Sequence, residues 1–439
     1  GEMKQKLHLK APKNWINDPN GFVYYKGQYH MFYQHFPYEP RWGTMHWGHA
    51  ISDDMVSWEH VGIALYPTKR FDQNGCFSGS AICENGKMYV YYTGIRYTEV
   101  DPEDIHVSVN EAYEPNQVLI TSEDGFHFDV KNGKQVVIPT IEDSAIGHRV
   151  NTRDPKVWKG KDGYYIILGS SGADGKGKAL IYQSENLTDW TYRNSVSKKD
   201  GYGRIWECPD YFETKGGGVL IFSAMGLDIE DHTGENQTLC MNASFDETSC
   251  ELTLADTYQF IDYGMDLYAP QSNLDKDGKR TLFAWLRMPY AVDGKWNGMF
   301  CLPRLVEVKD EHLYFRLHPN VKNLFTKEIA SPLQAKEGYC IKTSLAEAES
   351  LDVGGYRIWM EDGRVCADRT AVFPNLQDKF LICKTPKLQE GNNLEIYVDD
   401  NLIEIYANDG EYVLSNCVYG LGKEIKSTAA AGIKLYTIE

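Results

Sequence analysis

The sequence predicts an all-β protein, a five-bladed β-propeller followed by a C-terminal β-sandwich. Three observations lead there. Most of the chain alternates apolar and polar residues between short turns, and few stretches carry a 3.6-residue period. One theme then recurs five times: an apolar strand, a Gly-containing turn, and a second strand rich in Tyr, Phe and Ile. It reads "FVYYKGQYHMFYQ" (22–34), "AICENGKMYVYYTG" (81–94), "VWKGKDGYYIILGS" (157–170), "YFETKGGGVLIFSA" (211–224) and "NLDKDGKRTLFAWL" (273–286). The copies recur about every sixty residues, and such a period in an all-β chain suggests propeller blades. Finally, the theme stops near residue 320 and a different set of alternating strands follows.

Taken in order, the blades share further detail. A second theme follows three of the hairpins: "SDDMVSW" (52–58), "SEDGFHF" (122–128) and "SENLTDW" (184–190). Each places a Ser six positions before an aromatic residue that opens the next strand. The segment "HPNVKNLFTKEIASPLQAKEG" (318–338) reads as a connector. Beyond it, "NLEIYVDDNLIEIYANDGEYVL" (393–414) and "GIKLYTIE" (432–439) read as strands of a smaller sandwich. The expected organisation is a propeller over 1–320, a connector over 321–336 and a sandwich over 337–439.

Composition narrows the function classes. A chain of 439 residues that is 42% hydrophobic and 13% aromatic can bury a large core. Its apolar runs fall well short of the ~20 residues of a membrane helix, so no membrane partner is expected. The net charge is −17 with no long Lys/Arg run, so no nucleic-acid partner is expected either. The ten cysteines form no CxxC or metal spacing and read as buried thiols. The opening "GEMKQKLHLK" has no apolar stretch of signal-peptide type. A cytoplasmic placement is the expectation, one that a leader removed from the mature chain would reverse. The sequons at Asn186, Asn236 and Asn242 matter only in a eukaryotic secretory setting.

Chemistry sits just upstream of each hairpin, in "NDPNG" (17–21), "FSGS" (77–80), "RDP" (153–155), "ECPD" (207–210) and "YAPQ" (268–271). The innermost strand of every propeller blade lines the central channel. Segments at equivalent places in five blades therefore converge at one mouth of it. Three of them bring a carboxylate, Asp18, Asp154 and Glu207, and Arg153 stands beside one. Paired carboxylates suit glycoside chemistry, in which one attacks or stabilises an oxocarbenium-like centre and another protonates the leaving oxygen. Trp15, Trp42, Phe77, Tyr268 and Trp285 offer apolar faces for sugar rings. Pro19 disfavours the α region for Asp18, and Asn20-Gly21 is turn chemistry, so the first segment holds its carboxylate in place.

Together "WINDPNG", "FSGS", "RDPKVW" and "WECPD", in that order, closely resemble glycoside hydrolase family 32, the β-fructofuranosidase family. The likeness extends through "YHMFYQ", "WGHAISDDMVSW", "DLYAPQ" and "IEIYANDG", nearly the whole chain. That resemblance implies the same propeller-and-sandwich fold. It implies retaining cleavage of the fructosyl bond of sucrose or sucrose 6-phosphate through a covalent fructosyl-enzyme, with no metal or organic cofactor. Carried onto this chain, Asp18 becomes the nucleophile, Glu207 the general acid and then base, and Asp154 the transition-state stabiliser. Asn17, Gln34, Trp42, Phe77, Ser78 and Arg153 match positions lining the fructosyl pocket, and Tyr268 and Trp285 match wall positions. Leu305 and Asn401 depart from the family's usual acidic residue and Ser, both away from the chemistry.

Other readings compete. Exo-acting cleavage of fructo-oligosaccharides, inulin or levan would use the same residues, as would fructosyl transfer to a sugar. A non-catalytic fructan-binding propeller is the alternative of a different class, and the three carboxylates argue against it. "GADGKGKA" (172–179) approximates a P-loop, but Ala179 stands at the metal-binding hydroxyl position and strands flank it, so a hairpin turn is expected. His30, His35, His46 and His49 lack a compact metal-ligand pattern and read as pocket-lining or hydrogen-bonded. Asp53-Asp54 and Asp399-Asp400 read as turn or surface acids. Arg41, beside Trp42, is the candidate cation for a substrate phosphate.

Overall fold

In the computed structural model, which describes residues 3–230 and 232–439, the alternating segments pair into five antiparallel sheets and then two more. Gly1 and Glu2 of the expected propeller, and Asp231, lie outside the described residues. Each of the first five sheets is built on a four-stranded meander. The innermost strands are Asn14–Tyr25, Cys76–Glu84, Arg153–Lys159, Ile205–Thr214 and Leu267–Leu274. These five pack against one another in a closed ring, first to second and so on, with the fifth against the first. The chain is a five-bladed propeller with a C-terminal β-sandwich.

Blade faces pack on blade faces. Phe32, Trp47, Val90 and Tyr92 fill the space between blades I and II. Tyr91, Leu119, Ile166 and Leu180 do so between II and III, and Ile167, Trp206, Phe222 and Leu239 between III and IV. The ring closes on Phe22, Met31, Trp58 and Phe283, between blades I and V. Each such side chain contributes roughly 1.5–3 kcal/mol by leaving water. A main-chain clasp adds to this closure. Trp296–Asn297, from blade V, pairs in parallel with Asn14 and Trp15 of the first inner strand. Gly298 beside it has φ +108, and a Cβ there would lie 2.0 Å from the Ile16 carbonyl oxygen, so only glycine fits the clasp.

The Ser theme is one turn used three times. Ser52, Ser122 and Ser184 accept from the N–H three residues on, at Met55, Gly125 and Leu187, and all three of those residues have positive φ. Asp54, Asp124 and Asn186 cap the same turn by accepting from the N–H groups two and three residues on. Only in blade I does the next strand open there, at Ser57; in blades II and III it opens at Gln135 and Thr191, beyond Phe128 and Trp190. The P-loop-like stretch is the turn between strands Tyr164–Ser171 and Gly177–Ser184 of blade III.

The sandwich stacks a six-stranded sheet on a five-stranded one around Ile341, Leu351, Ile358, Ile396 and Ile405. Within the segment read as a connector, Phe325–Ile329 forms an edge strand of the larger sheet, paired with Ile433–Ile438. The sandwich is fixed to the propeller by shared apolar packing and by buried charge. Arg304 of blade V reaches Glu404 at 2.8 Å and Asp262 at 3.0 Å. Arg369 meets Asp266, and His8 lies between Asp399 (2.9 Å) and Glu404 (2.5 Å). Asp399 lies in the turn between Asn393–Val398 and Leu402–Ala407, as read, but its carboxylate is a partly buried link rather than a surface group. Among the described residues no helix is long and apolar enough to cross a membrane.

Candidate active site

All five inner strands break register at the same height. The pairing jumps between Ile16 and Pro19, Cys76 and Gly79, Arg153 and Lys156, Glu207 and Asp210, and Tyr268 and Gln271. In each case two residues on the inner strand face one on its neighbour, which is a β-bulge. The sequence demands it: Pro19, Pro155, Pro209 and Pro270 cannot donate to a ladder, and a strand accommodates Pro at a bulge. Three bulges also place an L residue at positive φ, Asp154 (67°), Cys208 (46°) and Ala269 (54°). Such backbone costs of order 1–3 kcal/mol per residue and persists where its surroundings fix it. Here they do, since Asp154 N–H donates to Thr93 Oγ1 and Ala269 N–H to Ser223 Oγ. In blade II the bulge runs into Gly79, where a Cβ would lie 1.7 Å from the Tyr91 carbonyl oxygen. The bulges turn side chains out of the sheet pleat toward the channel mouth.

One cavity of about 430 Å³ results, and all eleven residues matched through the family resemblance line it, while Trp15 and Arg41 do not. Asp18 accepts from Ser78 Oγ at 2.5 Å and from Asn17 Nδ2 at 3.1 Å. Glu207 accepts from Arg153 Nε at 3.0 Å on one oxygen and from the Tyr268 hydroxyl at 2.7 Å on the other. Asp154 accepts from the Cys208 N–H at 3.0 Å. Gln34 donates to Asn20 and to the Cys76 carbonyl, bracing the floor. Trp42 meets Phe77 edge-to-face at 5.8 Å, and Trp285 meets Tyr268 at 6.4 Å and Trp15 at 6.0 Å. Trp15 stands behind the wall, donating its indole N–H to Asn17.

The electrostatics follow from burial. Loss of solvent pushes the Asp18 carboxyl up to about 6, against the hydrogen bonds of Ser78 and Asn17 that favour its charge. Asp154 is pushed up to about 7 by burial and by the Glu207 carboxylate, against the pull of Arg153. Burial works against the Arg153 charge too, yet Glu207 holds that guanidinium above its usual range.

Several neighbours went unnoticed in the sequence. The Cys208 thiol lies 3.4 Å from Asp18 and 3.5 Å from Asp154, and burial holds it well above the ordinary thiol range. Its place inside "ECPD" was the one available signal. Tyr113 and Asn151 hold the Arg153 guanidinium, and Asn236, Arg287, Tyr97, Val107 and Ser108 complete the lining. The histidines lie outside this lining and are hydrogen-bonded: His30 with His49, His35 to the Trp15 carbonyl and His46 to the Thr44 carbonyl. Burial pushes His30 and His35 down to about 4. Arg41 is paired with Glu39 and Asp104. Arg287 gives its donors to the carbonyls of Asp266, Asn236 and Met265.

Comparison with known proteins identifies the family. The profile for the "Glycosyl hydrolases family 32 N-terminal domain" covers residues 8–319, and that for the family's C-terminal domain covers 345–438. A sucrose-6-phosphate hydrolase of Escherichia coli is 33% identical over 94% of this chain and 88% of its own length. A raffinose invertase of the same species is 32% identical over 94% and 89%. Among solved structures, a Bombyx mori β-fructofuranosidase mutant in complex with sucrose superposes with a TM-score of 0.84 at 28% identity, covering 99% of this chain and 93% of its own.

Proposed function

The chain belongs to glycosyl hydrolase family 32 and is a glycoside hydrolase, and on that premise we propose that it is a retaining β-fructofuranosidase acting on sucrose or sucrose 6-phosphate. The observation that carries the reading is the contrast between two carboxylates in one cavity. Asp18 is held by small neutral donors, while Glu207 is held by a cation on one oxygen and a reversible hydroxyl on the other.

That contrast supports an assignment of roles. Arg153 can only donate, so a proton carried by Glu207 belongs on the oxygen facing Tyr268. The Tyr268 hydroxyl can release Glu207, because the Ser223 carbonyl stands 3.3 Å away as an alternative acceptor. In the first step an Asp18 oxygen bonds to the fructosyl anomeric carbon. The bond to the glucosyl oxygen breaks, and the Glu207 proton passes to that oxygen. In the second step Glu207 takes a proton from water as the water oxygen attacks the same carbon, releasing fructose and restoring the Asp18 carboxylate. Asp154 faces the sugar hydroxyls from the neighbouring blade, its orientation set by the Cys208 N–H. Residues 8–319 form the catalytic unit in this proposal, with Phe325–Ile329 already part of the sandwich.

Between the two substrates, one observation favours sucrose itself. The two cations that line the cavity, Arg153 and Arg287, and Arg41, bonded to the Trp42 carbonyl, are each engaged by protein acceptors. The test is to incubate the protein with sucrose and with sucrose 6-phosphate and follow the first product by NMR. β-Fructofuranose should appear before mutarotation, and Asp18→Asn should abolish it. An initial α-anomer would refute the double displacement, and no hydrolysis of either sugar would leave the binding-only reading standing.

A further inference from the structure

A two-stranded hairpin stands apart from every blade and from the sandwich. It comprises Val100–Asp101 and Asp104–Ser108 and is inserted between the second and third strands of blade II. Its return strand ends in Val107 and Ser108, which line the cavity. The hairpin does not lean on its own blade alone. Asp104 meets Arg41 of blade I through both terminal guanidinium nitrogens, at 3.1 and 3.5 Å. His106 is hydrogen-bonded to Thr44 at 2.8 Å, and its ring lies 4.8 Å from that of Phe36. From blade II, the Tyr97 hydroxyl donates to the His106 carbonyl at 3.1 Å. The same Arg41 donates to the carbonyl of Trp42, a wall of the cavity.

Resting on the β-fructofuranosidase reading above, we propose that this hairpin is the wall on the leaving-group side of the cavity and that the Arg41–Asp104 pair is its latch. Arg41 and Asp104 are positioning residues, since neither lines the cavity. The latch ties the hairpin and the Trp42 loop into one rigid rim. A rim fixed in this way favours a leaving group of one sugar ring over an oligosaccharide. It also gives the Arg41 charge a structural partner in place of a substrate phosphate.

The pair is partly exposed, with side chains 41% and 32% accessible, so its expected effect is moderate. Sucrose and 1-kestose offer the same terminal fructosyl group and differ in what leaves, glucose or sucrose. The experiment measures kcat/KM for both on the wild type, Asp104→Asn and Asp104→Glu. In Asp104→Asn the ratio of 1-kestose to sucrose should rise about three- to five-fold, as expected for an exposed ion pair. The change should come through KM, with kcat on sucrose near the wild-type value. Asp104→Glu should restore most of the wild-type ratio, and wild type in 0.5 M NaCl should move toward the Asn variant, because salt screens exposed pairs. An unchanged ratio in Asp104→Asn, or an equal fall on both sugars, would overturn the latch while leaving the β-fructofuranosidase reading intact. If the wild type hydrolyses neither sugar, the underlying reading fails and the latch with it.

Discussion

Removing one hydroxyl should shift the pH at which the enzyme switches on. Ser78 donates to Asp18 at 2.5 Å inside a buried site and favours the charged form of the proposed nucleophile. Even with that bond in place, burial pushes the carboxyl up to about 6. A nucleophilic carboxylate must be ionised, so kcat/KM should fall as pH drops through this region. A hydrogen bond to a charged group contributes about 1.5–3 kcal/mol, and one pKa unit corresponds to about 1.4 kcal/mol. Ser78→Ala should therefore raise the acid limb by about one to two units. For a shift of about 1.5 units, the loss relative to wild type should be roughly eight-fold at pH 6.5 and nearly absent at pH 8.5.

The assay is initial-rate hydrolysis of sucrose well below KM across pH 4.5 to 9, which reports the free enzyme. Asp154 titrates nearby, pushed up to about 7, so the wild-type limb belongs to the two carboxylates together. The variant isolates the Asp18 share, because Ser78 bonds Asp18. Ser78→Thr keeps the hydroxyl and should leave the limb in place. If Ser78→Ala lowers kcat/KM equally at all pH values, Ser78 acts as a wall only, and Asp18 does not set the limb.

Glu207→Gln should lower kcat on sucrose about 10²- to 10⁴-fold, the range for loss of a general acid; a near-normal rate would place the acid elsewhere. Asp18→Asn should abolish hydrolysis and stabilise the fold. A carboxyl whose folded pKa is raised to about 6 favours folding most below its unfolded value, and that contribution is lost as pH rises through 6. The gain from Asn should thus be small near pH 4 and reach about 3 kcal/mol by pH 8, read as a pH-dependent shift in the denaturation midpoint. Arg304→Ala should cost about 3–5 kcal/mol by stranding Asp262 and Glu404, and an unchanged melting curve would refute the interdomain role of this cluster. Treatment with EDTA should leave the hydrolysis rate unaltered, since each step is assigned to a side chain.

The fold and the cavity were largely legible because both rest on local signals. Hairpins announce themselves by alternation and a turn, and a Pro inside an otherwise apolar strand marks a bulge. The proposed catalytic carboxylates sit at the bulges, so "NDPNG", "RDP" and "ECPD" carry a structural signal and a candidate chemistry in the same letters. What stayed hidden depends on long-range partners. Asp399 reads as a turn or surface acid, and it does sit in a turn, but its burial against His8 is hidden because that partner is 391 residues away. Phe325–Ile329 looked like linker because its pairing strand lies at the far end of the chain. Arg41 looked like a free cation because nothing near it in sequence announces Asp104 as its partner. Cys208 stood in plain view in "ECPD", but its approach to two carboxylates depends on a positive φ that the sequence does not announce.

The cavity's charge arrangement explains why a propeller suits this chemistry. Burial makes Asp18 more basic, and a more basic carboxylate is the better nucleophile as long as it stays ionised. With the carboxyl at about 6, roughly nine-tenths of it is charged at pH 7. Deeper desolvation without donors would protonate it, and more donors would make it inert. Ser78 from blade II and Asn17 from blade I hold it between those limits. Glu207, on blade IV, accepts hydrogen bonds from Arg153 of blade III and Tyr268 of blade V. No single strand could place these six groups around one cavity. Five inner strands bulging at one height do so, each blade contributing one short segment, and the apolar packing between blades fixes those segments relative to one another.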